Sequence, residues 1–146
     1  MDFTWYAIDA VGQIAVLTTG YGPIPKIVFA DQAAYDQLED LFIALPSRSD
    51  ARVTPEQETL RREKHLNFDV FLKEASKGLF SYFDRSDNSR EDYQLIAYPT
   101  VPLTMDQLPS ACQAALGRMR LPNLRFDENH RLNATAYFEC ASEGDA

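Results

Sequence analysis

Residues 4 to 26 read TWYAIDAVGQIAVLTTGYGPIPK, and the fold expectation follows from how this stretch divides. Phe3 to Ile8 and Ile14 to Thr18 are strand-forming apolar runs, separated by Asp9, Ala10, Val11, Gly12 and Gln13. Gly12 can take the positive φ that a short hairpin loop demands, so the stretch is predicted to be a β-hairpin. It runs into Gly20, Tyr21, Gly22, Pro23, a loop too short and too proline-stiffened to cradle a phosphate, which reads as a turn.

Downstream of the hairpin, Asp31 is placed to cap a helix whose apolar residues Ala34, Leu38, Leu41, Phe42 and Leu45 recur at helical spacing until Pro46 ends it. Its other face carries Asp36, Glu39 and Asp40 without a compensating base, an arrangement that hints at a partner. Residues 47–53 read as a polar connector. Thr54, Pro55 and Gln57 then give a cap, a first-turn proline and a glutamine at the third position, opening a charged surface helix with Glu58 and Arg62 at i and i+4. Asn67 reads as a second cap before the stripe Phe68, Phe71, Leu72, Ala75, which Gly78 terminates; the two pieces can form one bent helix. Leu79 to Phe83 and Tyr93 to Tyr98 flank a polar loop and predict a second hairpin. Thr104 to Leu108 suggests a capped turn, and Pro109 opens a helix through Cys112 and Leu116 that Gly117 closes. Leu124 to Phe126 and Arg131 to Cys140 read as a third strand pair, the second arm alternating with a clean period of two. The expected fold is a single α+β domain over residues 1–140, with a largely antiparallel sheet of six strands or so and two to four helices packed on it, followed by a frayed tail at 141–146.

The chain has 146 residues and a formal net charge of −8. Six acids stand against one base in residues 1–47, six against seven in 48–78, and ten against six in 79–146. This balance opposes binding to a phosphate backbone and favours fast, salt-sensitive association with a basic partner. Two cysteines, Cys112 and Cys140, are too sparse for a disulfide framework and are expected to be reduced and buried. With no charged leader and no apolar run long enough to span a bilayer, the expected location is the cytoplasm.

Chemistry-bearing motifs are few. His65, Cys112, His130 and Cys140 form no metal-ligand pair, and neither histidine stands in a nucleophile-activating pattern. Asp84, Asp87, Glu91 and Asp92 could set two carboxylates at hydrolytic separation, but a loop is a poor scaffold for tuned acids. The strand aromatics Trp5, Tyr6, Phe80, Tyr82, Phe83, Tyr93 and Tyr98 read first as core. The reading calls for no catalytic residue, no metal and no cofactor.

The segments WYAID and GQIAVLTTGYGPIPK of the first hairpin, with GLFSYFD, YQLIAYP and PLTMDQLP further on, together resemble small bacterial immunity proteins that protect against interbacterial, polymorphic or type VI secreted toxins. The resemblance leaves out the charged helix around Glu56 to Lys64 and the C-terminal strands. It implies a cytoplasmic inhibitor, not an enzyme, that binds one cognate toxin, expected to be basic and nuclease-like, and blocks its active site or substrate path, with no role for nucleic acid or membrane. Under it, Asp36, Glu39 and Asp40 on the helix and Asp84, Asp87, Glu91, Asp92 and Tyr93 around the loop are the expected contact surface. The competing expectation is a small-molecule-binding or enzymatic domain with a pocket between the sheet and its helices, which convergent polar groups in a concavity would mark. A third is a scaffold subunit, which a large apolar patch would mark.

Overall fold

The computed structural model describes residues 3–20, 23–84 and 92–141. The first hairpin forms as its sequence predicts: β1 (Phe3–Ile8) pairs antiparallel with β2 (Ile14–Thr19), and Gly12 takes a φ of +84° in the turn. All six residues of β2 are buried, which requires a sheet covered on both faces. After a short strand β3 (Ile24–Pro25) and a 3₁₀ turn (Lys26–Phe29), the chain builds α1 (Gln32–Ala44), β4 (Ala51–Val53), α2 (Pro55–Lys64) and α3 (Asp69–Ser76) before returning to the sheet. Because it returns by this long crossover, β5 (Phe80–Phe83) lies parallel to β2, and the largely antiparallel sheet is therefore mixed. β6 (Asp92–Pro99) completes the second hairpin. A 3₁₀ turn (Met105–Gln107), α4 (Ser110–Gly117), a further 3₁₀ turn (Phe126–Glu128), β7 (Arg131–Asn133), a last 3₁₀ turn (Ala134–Ala136) and β8 (Cys140–Ala141) follow. The main sheet runs β1-β2-β5-β6, with β4 and β7 end to end along the far edge of β6, while β3 and β8 form a separate pair. The tail expected at 141–146 lies, beyond Ala141, outside the described residues.

The helix ends obey local chemistry. Asp31 accepts from the Ala34 N–H at 3.1 Å, and Thr54 accepts from the Gln57 N–H at 3.4 Å. α2 and α3 are two helices, because His65 turns left-handed at φ +53° and caps α2. Asn67 does contribute, accepting from the Asp69 N–H at 2.9 Å. The ion pair on α2 joins Glu58 to Arg61 at i+3, 2.7 Å, in place of the expected i+4 pairing with Arg62. Gly78 ends the helical segment at φ +96°, where a Cβ would stand 2.7 Å from the Leu103 nitrogen, so only glycine fits.

Two expectations fail. Residues 51–53, read as connector, are an edge strand. The alternating stretch from Arg131 to Cys140 is not one strand paired with 124–126: β7 pairs with β6, and Asn133 then accepts from the Thr135 N–H at 3.0 Å and its hydroxyl at 2.6 Å, bending the chain into a 3₁₀ turn before β8. The alternation still tracks burial at Leu132 and Ala134, but the chain turns before the pattern ends.

The two sheet faces are covered by different elements. Tyr6 packs on Phe42 of α1 and Phe83 on Phe71 of α3, while Gln57 of α2 donates to Gln94 at 2.9 Å, so the helices take this face. On the other face Trp5, Leu17, Phe80 and Tyr82 meet the C-terminal segment, with Phe126 against both Phe80 and Tyr82 and Phe138 against Trp5. Asp9, fully buried at the end of β1, fastens that cover. Its carboxylate accepts from the backbone N–H groups of Val11 (3.1 Å), Gln13 (2.8 Å) and Phe126 (3.0 Å) and from Gln13 Nε2 (2.8 Å).

Beneath α1 the helix face holds a second carboxyl. Burial pushes Glu74 up to about 7, against the opposing pull of a 2.8 Å hydrogen bond from the Ser81 hydroxyl and of nearby Lys77. A folded-state pKa raised above the unfolded value contributes stability that is fully present below about pH 4.5 and is lost as the pH climbs through 7. Glu74→Gln should therefore match the parent near pH 4 and exceed it by about 1–3 kcal/mol at pH 8, read as urea midpoints at both values. Asp9→Asn, which turns an acceptor of four N–H groups into a partial donor, should cost about 2–4 kcal/mol at pH 7 in the same assay.

Candidate functional site

The outer face of α1 is built by its own periodicity. Leu38 and Phe42 turn inward, so Asp36 and Asp40 project to solvent, and Ile43, one turn beyond Asp40, is 68% exposed. Asp36 accepts from Gln32 Nε2 at 2.8 Å. Glu39 is half-buried, within 3.0 Å of the Tyr35 hydroxyl, which also meets the Thr4 carbonyl. Among the described residues none of the three acids is in an ion pair, and the helix carries no base. Lys77 donates to the Phe42 and Ile43 carbonyls at 2.8 and 3.0 Å, where it offsets the negative end of the helix, while Arg118 pairs with the cap residue Asp31 at 3.3 Å. Burial, with Lys73 nearby, holds the Lys77 ammonium below its ordinary range. The result is an acidic stripe with an apolar residue at its end and no counter-charge on its own helix.

The other expected contact residues separate from this stripe. Asp84 and Tyr93, expected on the contact surface, are buried, and their side chains bond the backbone of Gly20 and Pro23. Asp84 accepts from the Thr19 hydroxyl and from the Gly20 N–H at 2.7 Å; Tyr93 donates to the Pro23 carbonyl at 2.8 Å and accepts from Trp5 Nε1 at 3.1 Å. Burial pushes the Tyr93 phenol up to about 12, so it stays a neutral donor. Asp92 pairs through its backbone with Asn133 at the start of β6. Asp87 and Glu91 lie outside the described residues.

A groove of about 650 Å³ opens on the sheet face opposite α1. Phe80 and Leu95 floor it, Pro99, Thr100 and Pro102 form one wall, and Gln13, Asp127 and His130 the other. Arg52 and Tyr98, cross-strand partners on β4 and β6, stand along it. No residue of α1–α4 lines it, so it is not the pocket between sheet and helices that the sequence suggested. Arg125 brackets the Asp127 carboxylate at 3.1 and 2.9 Å and holds it below the usual carboxylate range, and Gln13 Nε2 adds a bond at 3.1 Å. Among the described residues the Arg52 side chain is in no ion pair or hydrogen bond. The sequence carries no signal for this concavity, because it depends on β4 finding β6 across more than forty residues of chain.

Cys112 is buried and Cys140 half-buried, and burial raises both thiols, which disfavours the thiolate. No helix among the described residues is long and apolar enough to cross a membrane. No family model, curated protein or solved structure matches this chain.

Proposed function

We propose that this protein is an immunity-type inhibitor, acting in the cytoplasm by protein–protein contact, that neutralises a cognate bacterial toxin by seating a basic surface of it on the outer face of α1. The observation that carries the reading is the uncompensated stripe of Asp36 and Asp40 ending in Ile43. Acids facing solvent without a counter-charge keep their field available to an approaching cation. An exposed isoleucine among them supplies apolar area whose burial slows dissociation, while the charges set the rate of encounter. The resemblance of the hairpin, GLFSYFD and YQLIAYP segments to immunity proteins points the same way, as does the net charge of −8. Catalysis has no part in this mechanism: occupying the toxin's active site or substrate path is sufficient.

The test is capture of the product of the adjacent gene, where that gene encodes a large toxin-like protein, followed by association kinetics across a salt series. The double variant Asp36→Lys, Asp40→Lys should slow association by about tenfold and flatten its salt dependence, and Ile43→Ala should mainly speed dissociation. A neighbouring toxin that forms no complex at low salt overturns the inhibitor reading. Unchanged kinetics in these variants removes α1 from the interface.

A further inference from the structure

We infer that the groove on the sheet face opposite α1 is a binding site for a small organic carboxylate carried on a flat apolar ring. The volume, about 650 Å³, is that of a small-molecule site, and its floor of Phe80 and Leu95 with Pro102 at the wall offers a ring apolar contact. The charge of the ligand follows from the charged side chains that line the groove. Asp127 is already bracketed by Arg125 at 2.9 and 3.1 Å, so a ligand cation there would compete with that arginine. Among the described residues the Arg52 guanidinium has no partner, although its planar fork is the group best shaped to take a carboxylate through two parallel hydrogen bonds. Tyr98, directly across from Arg52, adds a hydroxyl that makes no hydrogen bond among the described residues, and His130 adds a further polar edge. An extended peptide has no free strand edge to join on β6, because β4 and β7 already occupy it. This inference is independent of the inhibitor reading, since α1 and the groove lie on opposite faces of the sheet.

Titration of the intact chain with 3-phenylpropionate, followed by amide and arginine side-chain NMR shifts, tests it. Saturable shifts at Arg52, Thr100 and His130 are expected, with a dissociation constant of roughly 0.1–10 mM for a ligand of this size. The neutral 3-phenylpropanamide should bind at least about tenfold more weakly, as should the carboxylate to Arg52→Gln, an exposed position whose change leaves the fold intact. Tyr98→Phe, which keeps the ring and removes only the hydroxyl, should weaken binding by a smaller factor. The proposal is overturned if no saturable shift appears by about 100 mM, if shifts map elsewhere, if the amide binds as well as the acid, if Arg52→Gln binds as well as the parent, or if inorganic phosphate matches the ring-bearing carboxylate.

Discussion

A buried carboxylate at the end of the first strand holds the two halves of this molecule together. Asp9 is fully buried, and a carboxyl group in such a place is tolerable only if donors replace the lost hydration. Four N–H groups do so, three from the turn that Asp9 itself begins and one from Phe126, more than a hundred residues later. The short bonds in the turn fix the hairpin; the long one fixes the C-terminal segment, reinforced by the Ala10 N–H to the Leu124 carbonyl at 2.9 Å. With residues 124–130 anchored there, Phe126 covers Phe80 and Tyr82, and the Tyr82 hydroxyl donates to the Asn129 carbonyl at 2.6 Å. The wall of the groove formed by Asp127 and His130 is thus a consequence of how Asp9 is solvated.

The same logic holds at Gly20 and Pro23, whose backbone polar groups are met by Asp84 and Tyr93, both buried and both belonging to the second hairpin. Trp5 closes the set, donating to Tyr93 while packing edge-on against it at 5.8 Å and 83°, which adds about 1 kcal/mol to the apolar burial. The residues that most resemble surface acids and recognition aromatics in the sequence are in fact the supports of a loop.

What was legible in the sequence is what neighbouring residues decide. Asp31 and Thr54 as caps, Gly12 and Gly78 at positive φ, and the two apolar arms around Asp9 each involve contacts a few residues apart, and each stands where it was read. Pairings across the chain were not legible. Nothing in Ala51 to Val53 marks a strand until β6 supplies its edge, and the parallel match of β2 with β5 depends on a crossover of some sixty residues. The alternation at 131–140 misled because period two records which side chains face the core, not whether the backbone stays extended; Asn133 bends it by bonding its own Thr135. Of the acids read on the outer face of α1, Asp36 and Asp40 face solvent as helical spacing implies and Glu39 is half-buried, whereas the burial of Asp84 and Tyr93 is not readable from residue type.

Two-sided coverage of the sheet divides the surface into regions that answer to different physics. The helix side presents Asp36 and Asp40 with no base on their own helix, and Lys77 is engaged with the C-terminal carbonyls of α1, so the partner proposed above would meet their field directly. The opposite side presents a recess with an unpaired arginine beside an apolar floor, where a small ligand can be desolvated and held bidentately. A partner on α1 touches only helical surface, and a ligand in the groove touches only strand and loop residues, with β2, buried on both faces, between them. Communication between the two would have to pass through that rigid strand, so occupancy of one is expected to leave the affinity of the other unchanged.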